Sequence, residues 1–196
     1  ATLIVRDSEI LNSTAEGVNA ASCTLTLQRN LITLNKGGIT LGNGTVYTVE
    51  NNFIVANTSV TSPGVSLDNG SMGTFQFNTV AKNVVTMANV VGGISCGSAG
   101  KTIVSSIVVE NQKGGTSQLD GACTLTNVVI GSDTATGGIM KPPAFVVDGT
   151  DYHLDATDAK NVDCCIDKAA TGPAVDIDNE ARPKGAGYDI GADEVK

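Results

Sequence analysis

The chain has 196 residues, enough for one domain with a sizeable hydrophobic core. Its formal net charge is −8, and its three arginines are far apart in sequence, which argues against nucleic-acid binding because phosphates require clustered Lys and Arg. No apolar stretch approaches the ~20 residues that a membrane-spanning helix needs. We therefore expect neither a nucleic-acid partner nor a membrane span.

The composition favours an all-β fold. Val, Ile and Thr recur along the chain together with Asn, Ser and 23 glycines, while periodic runs of helix-forming residues are missing. β-Branched side chains fit a pleated sheet, and Gly and Asn tolerate the left-handed backbone of tight turns. This mixture predicts many short strands joined by tight turns.

The first twelve residues predict a coil with no polar cap before it. Ala1 opens directly into a strand-like run, as a processed or truncated chain would, although a cytoplasmic chain fits as well. Terminal coils of a solenoid are normally capped, because an open edge pairs with another chain. We expect either a fragment of a longer helix or an edge used for head-to-tail self-association.

An internal repeat occupies the centre of the chain. Residues 38–57 align without a gap on residues 64–83, and most mismatches are conservative. The identical pairs are Gly38/Gly64, Leu41/Leu67, Asn43/Asn69, Gly44/Gly70, Thr48/Thr74, Asn52/Asn78 and Asn57/Asn83. Weaker copies flank this pair on both sides, so the repeat extends over most of the chain.

The repeat predicts a right-handed parallel β-helix of about six coils over residues 1–138. Each unit alternates apolar and polar residues and cannot bury its apolar face alone, so successive units must stack. Asn is the expected residue at one repeated turn, because it tolerates left-handed geometry and pairs with the Asn above and below. The predicted turn residues are Asn12, Asn35, Asn57, Asn83 and Asn111. The chain lacks the leucine consensus of a leucine-rich repeat, the competing solenoid fold. A β-sandwich has no such repeat, so the gap-free match makes it the weaker alternative.

Residues 139–196 predict an irregular capping segment that packs on the last coil. Pro142 and Pro143 interrupt strand continuity, and the remaining tail is rich in Asp and Ala. Its ordered motif comprises Asp176, Asp178, Arg182, Pro183, Asp189, Gly191 and Glu194. With Phe145 and the run from Asp151 to Leu154, this motif resembles the C-terminal region of bacterial pectate-lyase-like β-helix proteins that carry a choice-of-anchor domain.

The resemblance covers about the last quarter of the chain and implies a secreted or cell-surface bacterial protein. It implies the β-helix fold and says little about activity. The chain departs from the family where Asn179 and Glu180 replace the glycine after the D-x-D pair, and where Cys164 and Cys165 lie before Asp167.

No catalytic residue is assigned. Enzymes that cleave sugars need paired carboxylates, but the coil acids are scattered, and Asp68 and Asp120 occur in Gly-containing turns. The only histidine, His153, lies between Tyr152 and Leu154, where packing or hydrogen bonding is the favoured role.

The densest acidic cluster lies in the tail. Asp176, Asp178 and Glu180 offer oxygen ligands at alternate positions, so calcium is the one cofactor considered. The favoured interpretation is that Asp176 and Asp178 cap turns while Arg182 pairs with Asp189 to hold the tail. We therefore expect no resident cofactor.

Five cysteines leave an odd one, and their connectivity is open. Disulfides would suit an extracellular protein, an unpaired cysteine could link subunits, and the adjacent pair could form a bridge or pair elsewhere. The cysteines are Cys23, Cys96, Cys123, Cys164 and Cys165.

Two functions remain after these exclusions. The first is a noncatalytic, extracellular or cell-surface structural or adhesive protein that self-associates head to tail into filaments. The alternative is a polysaccharide lyase or hydrolase, or a glycan-binding module, supported by analogy of fold alone.

Overall fold

The chain is a parallel β-helix. The computed structural model describes residues 1–111, 118–120, 122–131 and 137–195, and these form a coil of about five turns with very little helix. Three sheets run along the coil, and each full turn contributes one strand to each sheet. Every strand pair within the coil is parallel.

We name the sheets A, B and C in the order in which a turn visits them. The strands of sheet A are Thr2–Arg6, Thr24–Gln28, Val46–Glu50, Met72–Gln76, Lys101–Val104 and Cys123–Thr126. Those of sheet B are Glu9–Leu11, Leu31–Thr33, Phe53–Val55, Thr79–Ala81 and Ile107–Val109. Those of sheet C are Val18–Ala20, Ile39–Leu41, Val65–Leu67 and Ile94–Cys96. A short fourth ladder pairs Thr58–Ser59 with Val84–Val85.

The register confirms the repeat. Leu41 pairs directly with Leu67 in sheet C, and Thr48 pairs with Thr74 in sheet A. The six predicted coils correspond to the six strands of sheet A; sheets B and C have five and four strands. The core lies inside the coil, where alternate residues such as Leu27, Val49 and Phe75 are fully buried.

Each turn of the coil bends at two corners that share one design. A single residue adopts left-handed geometry, for example Asn51 after sheet A and Ala56 after sheet B. In the middle coils the next residue is a buried Asn whose amide group bonds the Asn one coil above, as Asn52 bonds Asn78 and Asn57 bonds Asn83. Serines take this position at other corners: Ser8, Ser13 and Ser106. Because each ladder Asn both donates and accepts, the two columns satisfy backbone groups that a corner would otherwise leave unpaired.

The structure refines the expected role of Asn in two ways. Left-handed geometry belongs to the residue before the ladder Asn, so pairing and backbone geometry are divided between two positions. Asn12 is left-handed itself, and Ser13 occupies the ladder position beside Asn35, so Asn12 is not a ladder residue. The second ladder, formed by Asn30, Asn52 and Asn78, was not predicted.

Ile139 pairs with Val129 on the last coil, and the residues after it lie along the side of the coil. Sheet B is apolar on both faces, since Phe53, Ile54 and Val55 are all buried, and the tail covers its outer face. Contacts reach from Phe53 to Asn127, so the tail spans several coils rather than packing on the last one as expected. The physical reason is that continuous apolar strands require cover on both sides.

The tail is built from a hairpin, one short helix and turns. An antiparallel pair joins Phe145–Val147 to Asp151–Leu154, and the helix Ala159–Cys164 begins at the capping side chain of Asp158. The side chain of Asn161 bonds both the amide and the carbonyl of Ala144, which ties the helix to the hairpin. Within the described residues, no helix is long and apolar enough to cross a membrane.

Candidate functional site

The outer face of sheet A carries a column of threonines. Thr26 pairs with Thr48, Thr48 with Thr74, and Thr102 with Thr124. Pairing of Phe75 with Ile103 places Thr74 beside Thr102, so the five side chains follow one another strand by strand. Their neighbours in sequence point into the core, and the alternation of a strand therefore turns these hydroxyls outward.

A polar column runs beside the threonines. Gln28 and Gln76 flank Glu50 in the register, and each side-chain amide donates to the Glu50 carboxylate, at 3.3 Å and 2.5 Å. We call the two columns together the sheet A face. The repeat alignment already contained the Thr48/Thr74 match, but its meaning required the strand register.

The buried guanidinium of Arg182 holds the tail on the coil. Its Nε donates to Oε2 of Glu194 at 2.9 Å, its Nη1 donates to Oδ1 of Asn51 at 3.0 Å, and the group lies 4.8 Å from the Phe77 ring centre. The side chains of both Arg182 and Glu194 are fully buried. Arg182 thus pairs with Glu194, and it contacts Asp189 through the backbone carbonyl only, at 2.7 Å.

Gly191 and Pro183 complete this junction. Gly191 has φ of 104°, which favours glycine, and donates its amide to the carbonyl of Ser105 in the coil; a Cβ there would lie 2.7 Å from the end of the Ile107 side chain. Pro183 follows Arg182 through a cis peptide bond. Two residues of the motif singled out from sequence, Arg182 and Gly191, therefore bond to the side of the coil.

Asp189 is buried behind Arg182 and orders two backbone segments. Its carboxylate accepts the amides of Asp167 and Val195, both at 2.8 Å. Burial raises the pKa of Asp189 to about 6, despite the opposing backbone hydrogen bonds.

His153 is surrounded by carboxylates. Its Nδ1 lies 2.5 Å from Oδ1 of Asp151, and its Nε2 lies 2.9 Å from Oδ2 of Asp178. Ligand atoms of His153, Asp178 and Asp193 all lie within 4.8 Å of one another. Burial lowers the pKa of His153, but the bond with Asp151 and the charges of Asp193 and Asp178 outweigh it, so the net direction is upward.

The predicted calcium residues point in different directions. Oδ1 of Asp176 accepts the amides of Asp178 and Glu180, which forms a capped turn. The Glu180 carboxylate faces Lys184, and Asp178 faces His153. The alternate spacing of Asp176, Asp178 and Glu180 therefore stabilises a turn and does not form a shared ligand site. The ligand side chains that do meet are those of His153, Asp178 and Asp193, and the spacing of these residues in the sequence did not indicate their proximity.

A groove of about 470 Å³ opens beside this cluster. Coil residues including Asp7, Arg29 and Phe53 form one wall, and tail residues including His153 and Asp178 form the other. Arg29 and Asp7 make a bidentate ion pair with distances of 2.7 and 2.9 Å.

The two coil acids considered as catalysts accept hydrogen bonds from other coil residues, and Asp120 bonds mainly to the sheet C strand Ile94–Cys96. Asp68 accepts the hydroxyl of Ser66, and Asp120 accepts the hydroxyl of Ser95 and the amides of Cys96 and Ala122.

Two disulfides are formed. Cys96 at the end of a sheet C strand bonds Cys123 at the start of the sheet A strand one coil later, with Cα atoms 5.3 Å apart. Cys164 and Cys165 bond each other. Among the described residues, Cys23 is the free cysteine. The Cys96–Cys123 bond connects unlike positions of two coils, which is why alignment of equivalent positions did not reveal it.

The comparisons with known proteins add no relative: no family model, curated protein or solved structure matches this chain.

Proposed function

We propose that this chain is a noncatalytic structural or adhesive module of the bacterial cell exterior, and that the sheet A face is its contact surface. The observation that carries the proposal is the column of threonines from Thr26 to Thr124. The partner that fits it is a repetitive polymer, and a cell-surface glycan is the partner class we propose.

The face offers the same group at regular intervals. Adjacent strands of a sheet lie about 4.8 Å apart, so each threonine presents a hydroxyl and a methyl at that repeat. Sugars present hydroxyls together with apolar C–H surface, and both match a threonine side chain. Because backbone pairing fixes the column, little conformational entropy is lost on binding.

The proposed placement outside the cell is supported by the disulfides. Cys96–Cys123 and Cys164–Cys165 are bonds that persist in oxidising compartments. The resemblance of the tail to choice-of-anchor regions points to the same location and remains a prediction.

The proposed self-association uses the end of the coil formed by the strands Thr2–Arg6, Glu9–Leu11 and Val18–Ala20. Leu3 points toward the core yet is 52% exposed, and Val5, Ile10 and Val18 are only partly buried. A further coil supplied by a second copy would cover these side chains and pair the strand edges.

Retention on insoluble glycans tests the proposed contact surface. We expect the chain to bind at least one of peptidoglycan, chitin, cellulose and polygalacturonate, and the double substitution Thr48→Lys with Thr74→Lys to weaken retention at least tenfold. The matched control is Thr40→Lys with Ser66→Lys, a paired position on the outside of sheet C.

Two results would contradict the proposal. If the sheet A substitutions leave retention unchanged, the sheet A face is not the contact surface. If the chain is retained on none of the glycans, a glycan is not its partner. New reducing ends in the same incubations would favour the lyase or hydrolase alternative.

A further inference from the structure

We propose that His153, Asp178 and Asp193 bind a divalent transition-metal ion, and that zinc is the ion this ligand set fits. The proposal is independent of the sheet A face. It starts from the geometry of the three side chains, whose ligand atoms lie within 4.8 Å of one another.

The two contacts of the His153 ring create a conflict that a cation resolves. Nδ1 lies 2.5 Å from Asp151 and Nε2 lies 2.9 Å from Asp178. A neutral imidazole has only one N–H, so one of these contacts sets a nitrogen lone pair against a carboxylate oxygen unless the ring is protonated or that nitrogen binds a cation. With Nδ1–H donating to Asp151, a metal ion at Nε2 is shared with Asp178 and removes the repulsion.

Asp151 has the position of an orienting group in such a site. Metal-binding histidines nearly always donate their second ring N–H to a carboxylate or carbonyl, which sets the tautomer and the ring orientation. The amide of His153 also donates to Asp151, at 3.1 Å, and the edge of the ring packs on Phe53 with ring centres 5.0 Å apart. The imidazole is therefore held in place before any ion binds.

A second observation is a buried carboxylate oxygen close in sequence to the ligand Asp178. Oδ2 of Asp176 is buried and, among the described residues, has no hydrogen-bond partner. The Asp176 residue is 0% exposed and lies two positions before Asp178, to whose amide its other oxygen is bonded. Asp193 is 6% exposed, and its Oδ2 accepts the backbone amide of Leu154 at 2.8 Å. Buried carboxylates are costly unless a cation balances them.

The ligand chemistry distinguishes zinc from calcium. Calcium takes oxygen ligands almost exclusively, whereas imidazole nitrogen together with carboxylate oxygen suits zinc and its neighbours. Two of the three ligands, His153 and Asp178, line the 470 Å³ groove, and a three-ligand set leaves a further position for water or another ligand. The ion would join the hairpin, the turn after Asp176 and the C-terminal run.

The test uses the oxidised full chain after chelator treatment and dialysis. Zinc titration by calorimetry should give one ion per chain, and Asp178→Asn should weaken binding at least a hundredfold. Asp151→Asn should weaken it about 10- to 100-fold, the usual effect of losing an orienting partner. Asp163→Asn, an exposed helix acid with the same charge change, should have no effect.

His153 is the only histidine of the chain, so its ring signals in NMR spectra are unambiguous. Zinc should shift them and abolish their titration with pH, while calcium should do neither. Ring signals that ignore zinc, or zinc affinity equal in the Asp178→Asn variant, would overturn the proposal, and His153 would then be an imidazolium bonded to two carboxylates.

Discussion

The guanidinium of Arg182 donates to the side-chain oxygen of Asn51, a residue 131 positions earlier in the chain, at a distance of 3.0 Å. Asn51 is a left-handed corner residue, and its side-chain amide donates in turn to the carbonyl of Val175 at 2.7 Å. One corner of the coil thus binds the tail through both ends of a single amide group.

Substitution of Arg182 should destabilise the whole chain. In Arg182→Met the Glu194 carboxylate stays buried without a cation, which costs about 3–5 kcal/mol of unfolding free energy. Urea unfolding measures the loss, and Arg6→Met, at an exposed arginine, should change it by less than about 0.5 kcal/mol. Adding Glu194→Gln to Arg182→Met should recover part of the loss; an equal or larger loss in the double variant would contradict the ion-pair explanation.

The stability of the fold should be sensitive to removal of one amide from the ladder formed by Asn30, Asn52 and Asn78. Asn52 is fully buried, donates to Leu27, Glu50 and Asn78, and accepts from Asn30. Asn52→Ala leaves several buried groups unpaired and should lower the free energy of unfolding by about 3 kcal/mol.

The matched control for the ladder is Asn19→Ala, at an exposed position on sheet C. It should be nearly neutral in the same denaturation experiment. Equal effects of the two substitutions would show that burial of the ladder amides contributes nothing.

Stability should fall as pH rises from about 4 to about 6. The pKa of Asp189 is raised from 3.8 to about 6 by burial, so over this range the folded chain holds a proton that the unfolded chain has released. The full shift corresponds to at most about 3 kcal/mol, at 1.36 kcal/mol for each pKa unit. Thermal melts at several pH values measure the slope.

Asp189→Asn provides the comparison for this slope. It should lower stability at every pH, because an amide cannot accept from both Asp167 and Val195, yet flatten the decline between pH 4 and 6. A slope as steep as that of the unchanged chain would assign the dependence to other groups.

Association through the open coil end should depend on protein concentration. Leu3 is 52% exposed among strand edges that have free backbone groups, and Leu3→Lys places a charge there that opposes pairing with another chain. Light scattering should show the mass rising with concentration for the unchanged chain and not for Leu3→Lys. Val162→Lys, at a helix residue 55% exposed, should still associate, and a mass that stays at one chain throughout would remove the proposed contact.

The sequence was most informative where structure repeats. Residues 38–57 and 64–83 align without a gap because each coil places equivalent residues in equivalent surroundings, so Leu41 above Leu67 was predictable. The same alignment contained Asn52/Asn78 and Thr48/Thr74. Their roles as a buried ladder and an exposed column were not predicted, because identity of residues does not show which way a side chain points.

The tail was predicted as a motif and misplaced in space. Its position depends on the outer face of sheet B, where Phe53 and Val55 are apolar. A strand that alternates apolar and polar residues would have a polar outer face and would need no cover. The short continuous apolar run at these residues was the available signal, but such a run indicates burial without identifying the covering segment.

The sequence by itself determined the coil, because each repeat has an apolar face that only the neighbouring repeats can bury. Only the tertiary structure decided which residues of the tail meet: His153 with Asp178 and Asp193, and Arg182 with Asn51 and Glu194. These contacts join segments that occur once in the chain, and their choice depends on shape and buried charge across the whole molecule rather than on any local pattern.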